Sequence, residues 1–367
     1  MEIRGETHLW ELLKETVRGG ASDLHVTAGS PPMIRIDGWL VPAGESVLSA
    51  CDTRSMVMDI LTDEQRKRLE EDLELDFGYE LPGLRRFRVN AYFQRGCLGA
   101  AFRPVPEEVP RLEELLLPRA VVEMSGKTSG LVLVTGPTGS GKSTTLAAMI
   151  GRINETRREH VMSVEDPIEF LHESKRCIIN QREVGWDTRS FANALKHVLR
   201  QDPDVILVGE MRDLETVSLA VTAAETGHLV LSTLHTRSAP QTVDRIIDVF
   251  PPHQQGQIRA QLANTLQGVV TQALLPKVGG GRVAACEVLV PTAGVRNLIR
   301  EGKTHQIHSA IQTGGKFGMQ TMDAALAGLI RGGLISREQA REHAPDAGEM
   351  HRLSSGAPES ERRAAEG

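Results

Sequence analysis

The sequence predicts an α/β protein of two domains, a small α+β domain followed by a parallel sheet that carries a phosphate-binding loop. Three observations lead to this fold class. Residues 136–143 spell a complete G-x-x-x-x-G-K-S/T loop between an apolar run and a helix-prone stretch. From about residue 119 to 290, short apolar runs alternate with helical text, which is the pattern of strands wrapped by helices. At 367 residues the chain also exceeds the size of one compact core.

The first domain is predicted over residues 1–104. Four apolar side chains recur at helical spacing within residues 1–18, which predicts a helix there: Leu9, Leu12, Leu13 and Val17. A second helical stretch is expected over about 52–73, and a turn at Asp37-Gly38. Alternating apolar and polar residues predict five strands, at 22–27, 33–37, 76–79, 86–94 and 98–103.

Four further regions follow the first domain. A proline-rich linker is predicted at 105–118, because proline restricts both itself and the preceding residue. The nucleotide-binding core is expected at 119–290, a mainly helical C-terminal part at 291–343, and a disordered polar tail at 344–367. The predicted core strands are 131–135, 160–164, 205–208 and 229–233.

The loop at residues 136–143 predicts a nucleoside triphosphate site. Its glycines allow backbone N–H groups to point at phosphate oxygens, and the following helix adds a partial positive charge. Lys142 is predicted to reach the β- and γ-phosphates as a catalytic cation, and the Ser143 hydroxyl to ligate Mg²⁺. The residues predicted to bind ATP are Gly136, Pro137, Thr138, Gly139, Ser140, Gly141, Lys142, Ser143 and Thr144.

Two predicted strands end in carboxylates at the edge where the phosphate loop is expected. One leads to Glu210, preceded by Gly209 where many NTPases have an aspartate, so Glu210 is predicted to contact Mg²⁺ directly or through water. Another leads to Glu165, predicted to orient the attacking water, and to Asp166, predicted to support it or the metal. The sequence leaves open whether Glu165 or Glu210 is the catalytic base.

A histidine lies at each end of the strand predicted over 229–233. His235 and His228 are both predicted to sense the γ-phosphate, because an imidazole N–H can bond to phosphate or to the catalytic water. The alternative is a structural role at the strand ends.

Two arginines of the first domain are predicted to share one face of a hairpin. Arg95-Gly96 fits a two-residue hairpin loop, and a loop centred there places Arg88 directly opposite Arg103. Two like charges side by side are destabilising unless an anion lies between them, and arginine forks suit a triphosphate. The pair is therefore predicted to act catalytically as a clamp on a neighbouring subunit's nucleotide. The alternative is a solvated strand face.

Composition restricts the partners and the compartment. The formal net charge of −6 disfavours nucleic acid as a partner. No run of about 18 apolar residues occurs, so we expect a cytoplasmic protein or one docked on the cytoplasmic face of a membrane. The four cysteines lie far apart, which argues against a zinc ribbon and predicts reduced thiols.

Motifs spread along the chain match one family. They lie at 21–25, 86–90, 136–143, 164–169, 206–213 and 226–236. Over roughly residues 5–335 the chain resembles the secretion-type ATPases of the type II/IV secretion superfamily. Residues 295–303 and 318–323 look like the C-terminal signature of the type IV pilus retraction subfamily, although Gly294 stands where that subfamily more often has alanine.

The resemblance implies a PAS-like N-terminal domain and a RecA-like ATPase domain, assembled as a homohexamer with Mg²⁺-ATP held between the two domains. It implies that Arg88 and Arg103 reach phosphates. It further implies retraction of type IV pili for twitching motility, through an inner-membrane platform protein and the pilus base, with peripheral association at the cytoplasmic membrane face.

Other functions stay open on the sequence. The chain could be a pilus extension or type II secretion motor, although such motors usually carry a four-cysteine insert that is missing here. It could also be an ATP-binding assembly factor with little turnover that docks through 295–303. The alternative interpretation of this segment is that Leu298 and Ile299 are simply core residues. A DNA-translocating motor is disfavoured by the acidic charge and the 4% aromatic content.

Overall fold

The computed structural model describes residues 5–36, 38–106 and 108–355, which form two compact units. The first unit contains the chain up to Glu108 together with Asp166–Leu171 and Glu183–Asp187. The second contains Val109–Glu165, His172–Arg182 and the chain from Thr188 onward. The first boundary falls inside the segment predicted as a linker. The two later returns of the chain to the first unit are not anticipated by any local sequence pattern.

The first unit is an α+β fold with one antiparallel sheet, in the order β3-β2-β1-β6-β5-β4. Its described elements are α1 (Gly5–Arg18), β1 (Asp23–Val26), β2 (Met33–Ile36), β3 (Trp39–Pro42), α2 (Ala50–Met58), α3 (Asp63–Asp72), β4 (Glu74–Leu81), β5 (Arg85–Gln94) and β6 (Cys97–Pro104). Ile36 pairs with Trp39, and Asp37 of the predicted turn lies outside the described residues.

One face of this sheet builds the core, because side chains alternate along each strand. Phe87 of β5 and Phe102 of β6 are fully buried and pack with Leu9 and Leu13 of α1. The opposite face carries the polar residues of the same strands. The five strands predicted from the sequence are therefore confirmed in this unit, whereas β3 is an additional strand that the sequence analysis does not predict.

The helical stretch predicted at 52–73 forms two helices. Ser49 caps α2 in a capping box with Asp52, and Thr62 caps α3 in a second box with Gln65. Each box satisfies backbone N–H groups at the start of its helix, so the second box begins a new helix.

The second unit is an α/β fold around a seven-stranded sheet in the order β13-β12-β7-β11-β10-β8-β9. Its described strands are β7 (Gly130–Thr135), β8 (His160–Glu165), β9 (Ile178–Glu183, whose last residue belongs to the first unit), β10 (Val205–Val208), β11 (Leu229–Leu234), β12 (Leu266–Pro276) and β13 (Arg282–Leu289). Its described α-helices are α4 (Arg119–Ser125), α5 (Lys142–Thr156), α6 (Phe191–Val198), α7 (Leu214–Glu225), α8 (Ala239–Asp248), α9 (Pro252–Thr265), α10 (Ala293–Arg300), α11 (Ile307–Thr313), α12 (Met322–Arg331), α13 (Arg337–Arg341) and α14 (Ala347–Ser355).

The central strands of this sheet are covered on both faces. In β7, Leu131 and Leu133 point into one core, whereas Val132 and Val134 point into the other. Such two-sided burial explains the uninterrupted apolar runs in the sequence. The sheet is not purely parallel as predicted, since β13 runs antiparallel to β12. The two strands are joined by a short hairpin rather than by a helix.

The C-terminal part is mainly helical, as predicted, but its last segment differs from the prediction. Residues 347–355 form α14, so the prediction of disorder from 344 onward is wrong for this stretch. Met350 is 4% exposed and packs in one apolar cluster with Leu326 of α12, which supplies the burial that holds the helix. Residues 356–367 of the predicted tail lie outside the described residues.

The cysteines are reduced thiols in this fold. All four lie within the described ranges and none forms a disulfide. Burial raises the pKa of the Cys286 thiol to about 12, and burial also raises the pKa of Cys177. Both groups therefore stay neutral and act as small apolar side chains. Among the described residues, no helix combines the length and apolar character needed to cross a bilayer.

Arg296 in α10 has a structural role that is expected neither from a docking surface at 295–303 nor from core packing of Leu298 and Ile299. Its guanidinium donates to the carbonyls of Ala263, Asn264 (2.9 Å) and Leu266 (3.0 Å), where α9 ends and β12 begins. These carbonyls have no partner within the helix, so Arg296 caps α9 from another element. Ile299 of the same helix is fully buried.

We expect Arg296→Ala to lower the free energy of unfolding by about 2 kcal/mol, because charged hydrogen bonds to the end of α9 are lost. Thermal denaturation of the purified chain measures this effect. Arg300→Ala is the control, because Arg300 is exposed and donates to the Asn264 side chain at 2.9 Å. Equal melting temperatures of the two variants would contradict the capping role.

Candidate active site

The phosphate loop joins β7 to α5 and keeps its backbone open toward a ligand. Gly136, Gly139 and Gly141 have φ values of 139°, 79° and 87°, a region that favours glycine. A Cβ at Gly136 would lie 2.4 Å from the Gln272 carbonyl oxygen, so no side chain fits there. The loop therefore has the close-packed, glycine-dependent shape that phosphate binding requires.

Lys142 begins α5 and is 8% exposed. Its Nζ donates to the carbonyl oxygens of Gly136 (3.0 Å) and Pro137 (2.9 Å), so the ammonium group lies against the loop. Ser140 Oγ is buried and has no hydrogen-bond partner among the described residues, whereas a buried polar group is normally paired. Ser143 and Thr144, in the first turn of α5, are half-buried. A cation, an unpaired hydroxyl and the amino end of a helix thus meet at one loop.

Glu165 ends β8 and is held from within the second unit. Its Oε1 accepts hydrogen bonds from Ser163 Oγ at 2.7 Å and from Gln181 Nε2 at 3.2 Å. Ser163 lies two residues earlier on the same strand, so the two side chains share a face. These donors fix the carboxylate in one orientation, as a water-orienting group requires.

Glu210 follows β10 and lies beside an arginine and a histidine. Its Oε1 lies 2.6 Å from Arg212 Nε and 3.3 Å from His235 Nε2. A Cβ at Gly209 would lie 3.2 Å from the Val164 carbonyl oxygen, so a larger residue would be crowded against β8.

Strand pairing brings these groups to one edge of the sheet. Val208 of β10 pairs in parallel with Val164 of β8, and Thr135 of β7 pairs in parallel with Leu234 of β11. The carboxyl ends of the four strands therefore lead into the phosphate loop, Glu165, Glu210 and His235 at the same edge. Ligands bind at this edge in open α/β sheets.

His228 lies at the opposite end of β11 from the phosphate loop of the same chain. Its Nδ1 lies 3.0 Å from the Ala223 carbonyl oxygen and 3.2 Å from Thr226 Oγ1. A six-residue strand spans about 20 Å at about 3.3 Å per residue, so His228 of this chain is far from the loop. Its contacts fit a structural role at the end of α7.

In the first unit, the predicted register of the arginine hairpin is confirmed. Arg88 of β5 pairs directly with Arg103 of β6, and Gln94 pairs with Cys97 across Arg95-Gly96. The two positive charges do not require a shared anion between them, however, because each arginine has a carboxylate of its own. Arg103 Nε lies 2.9 Å from Asp23 Oδ1, and Arg88 Nη1 lies 3.6 Å from Glu169 Oε1.

Asp166, predicted as a metal-supporting residue, begins the first return of the chain to the first unit. Within the second unit, the contacts of the site also include Ser163, Gln181 and Arg212, which are not among the residues predicted from the sequence. Ser163 could have been found from its two-residue spacing to Glu165. Gln181 approaches through long-range packing, for which the sequence offers no local signal.

Comparisons with known proteins find related sequences and a similar solved structure. Residues 6–280 match the type II/IV secretion system protein family. The chain is 55% identical to the type IV pilus retractation ATPase PilT of Pseudomonas aeruginosa, across 91% of this chain and 97% of that protein. It is 52% identical to a twitching motility protein of Neisseria gonorrhoeae, across 87% of this chain and 86% of that protein. A crystal structure of the pilus retraction motor PilT with bound ADP matches with a TM-score of 0.87 and 49% identity, and covers 93% of this chain and 98% of that chain.

Proposed function

Because the chain belongs to the type II/IV secretion system protein family, we propose that it is an ATP-driven motor that powers retraction of type IV pili for twitching motility. One observation carries the proposal: the similarity to PilT, at 55% identity, extends over 97% of that protein. The chain is a P-loop ATPase, and its phosphate loop and two strand-end carboxylates lie at the same edge of one sheet.

Binding of ATP would use the loop described above. Backbone N–H groups of the loop and the start of α5 meet the phosphate oxygens, and Ser140 Oγ gains a partner there. Lys142 Nζ leaves the carbonyls of Gly136 and Pro137 and pairs with the β- and γ-phosphates. The buried position of this lysine makes its charge effective, since screening by water is weak there.

Hydrolysis would use the two carboxylates for different tasks. Glu165, held by Ser163 and Gln181, accepts a hydrogen bond from the attacking water and takes its proton. Ser143 and Glu210 would hold Mg²⁺, with Asp166 in support, and a bound Mg²⁺ would supply positive charge beside the phosphates. His235, beside Glu210, is positioned to respond to the presence of the γ-phosphate.

The mechanical step would depend on a ring of six copies. In this proposal Arg88 and Arg103 exchange their carboxylate partners for the phosphates of a neighbouring subunit's nucleotide. The nucleotide state of one subunit then changes its contact with the next. We propose that this motion is passed to an inner-membrane platform protein and the pilus base, with the ring docked at the cytoplasmic face of the membrane.

The first test is ATP hydrolysis per subunit over a wide range of protein concentration, with Mg²⁺ present. We expect specific activity to rise steeply and then saturate, because each site is completed by a neighbour's arginines. Arg88→Ala and Arg103→Ala should lower the saturating activity. Arg95→Asn is the control, because it removes a charge from the tip of the same hairpin and suits the φ of 48° there. Activity that stays constant down to monomeric concentrations would contradict the shared site.

A further inference from the structure

Both returns of the chain to the first unit are held by a single carboxylate. Glu183, the last residue of β9, is 3% exposed. Its Oε1 accepts the backbone N–H of Gly78 at 3.0 Å, and its Oε2 lies 2.6 Å from Arg86 Nη2. Oε2 also accepts the backbone N–H of Ile168 at 3.1 Å. One side chain therefore joins β4, β5 and the segment 166–171.

The surroundings of Glu183 are shaped for this arrangement. The Arg86 side chain is 16% exposed, and its guanidinium lies across Gly78 of β4. A Cβ at Gly78 would lie 2.3 Å from Arg86 Nη2, so the glycine provides the space for the ion pair. The backbone N–H of Glu183 is bound by Asp187 Oδ2 at 2.8 Å, within the second returning segment. Both the side chain and the backbone of Glu183 are thus fixed.

The segment that Glu183 holds is connected to two groups of the proposed reaction, Glu165 and Arg88. It begins one residue after Glu165, which is bonded to Asp166 in the chain. It also contains Glu169, whose carboxylate lies 3.6 Å from the guanidinium of Arg88. The N–H of Ile168, bound by Glu183, lies between these two positions. A shift of the segment would therefore displace the end of β8 and the partner of Arg88 together.

We propose that Glu183 is a positioning residue for ATP hydrolysis, which sets the end of β8 and Arg88 through its hold on the segment 166–171. This inference rests on the proposed function and deepens it. The contacts of Glu183 described above are with Gly78, Arg86, Ile168 and Asp187, none of which belongs to the phosphate loop. Glu183 therefore acts on turnover and not on the binding of the phosphates. Small displacements of positioned groups have large effects on rate.

Glu183→Gln tests the proposal, because it keeps the size of the side chain but removes the charge and places an amide N–H among three donors. We expect kcat for ATP to fall about tenfold or more while KM and ADP affinity stay within about twofold of wild type. The matched control is Glu159→Gln. Glu159 lies 2.6 Å from Arg157, whose side chain is 15% exposed and thus as buried as that of Arg86. Glu159, however, lies just before the start of β8, at the end of the strand away from Glu165.

A double-mutant cycle with Arg88→Ala separates positioning from general destabilisation. We expect the loss of kcat in the double variant to be clearly smaller than the product of the two single losses, because both changes disable the same group. Thermal denaturation checks that the variants are folded. If Glu183→Gln does not fold, Arg86→Lys, which keeps the charge but loses the guanidinium fork, takes its place in the same cycle.

The inference would be overturned if kcat of folded Glu183→Gln stays within twofold of wild type. It would also be overturned if the loss of kcat in Glu183→Gln multiplies fully with the loss in Arg88→Ala. An equal loss in Glu159→Gln would also overturn it, since any buried ion pair would then have the same effect. A wild-type chain that does not hydrolyse ATP would overturn the proposed function itself, and this inference with it.

Discussion

Lys142→Ala is expected to lower ATP hydrolysis by about 10³-fold or more, because it removes the buried cation that is proposed to bind the transferred phosphoryl group. Lys142 is 8% exposed and donates to two loop carbonyls, so its position is set by the loop itself. Steady-state phosphate release by the purified chain measures the loss. Nucleotide affinity should fall as well, since the same ammonium group is proposed to bind the β-phosphate.

The same variant separates a motor from an assembly factor. In cells that lack their own copy of the protein, a motor with Lys142→Ala should give no surface motility, whereas an assembly factor with little turnover should still support it. Lys127→Ala, which alters an exposed lysine of the same unit, is the control. Normal motility without hydrolysis would exclude the motor.

Glu165→Gln and Glu210→Gln are each expected to lower turnover by about 10²-fold or more, although for different reasons. Glu165 is held by Ser163 and Gln181 and is proposed to orient the attacking water, so its loss should leave the binding of Mg²⁺-nucleotide unchanged. Glu210 is proposed to hold the metal, so its loss should weaken the Mg²⁺ dependence of nucleotide affinity. Titration of ADP with and without Mg²⁺ distinguishes the two roles.

Glu215→Gln is the control for this pair, because Glu215 is an exposed carboxylate in the first turn of α7. It should leave both turnover and Mg²⁺ dependence unchanged. A Glu165→Gln variant that loses Mg²⁺ dependence, beside a Glu210→Gln variant that keeps it, would exchange the two assignments. Loss of Mg²⁺ dependence in both variants would mean that the carboxylates share the metal.

The parts of the site that follow from local rules could be predicted from the sequence. The phosphate loop depends on a fixed spacing of glycines and Lys142. The pairing of Arg88 with Arg103 follows from the two-residue loop Arg95-Gly96, since loop length sets the register of a hairpin. Glu165 and Glu210 could be placed because parallel strands end at a common edge.

Features that depend on tertiary packing could not be predicted from the sequence. The sequence does not show that Asp23 and Glu169 supply the anions beside the arginine pair, because both are distant along the chain. The direction of β11 separates His228 from the phosphate loop of the same chain, because only the carboxyl end of the strand reaches that edge. The helix at 347–355 forms because Met350 finds an apolar cluster, which a polar composition does not reveal.

The ion pair of Glu183 with Arg86 also restricts how such sequences can recombine. A chimera that takes residues up to 108 from one relative and the remainder from another inherits Gly78 and Arg86 from one parent but Glu183 from the other. If one parent lacks Arg86, or the other lacks Glu183, the chimera contains a buried charge without its counterion, which is strongly destabilising. A single crossover in the linker therefore exchanges less than a complete unit. When the parents differ at these positions, shuffling should preserve function only if the two returning segments are transferred with the first unit.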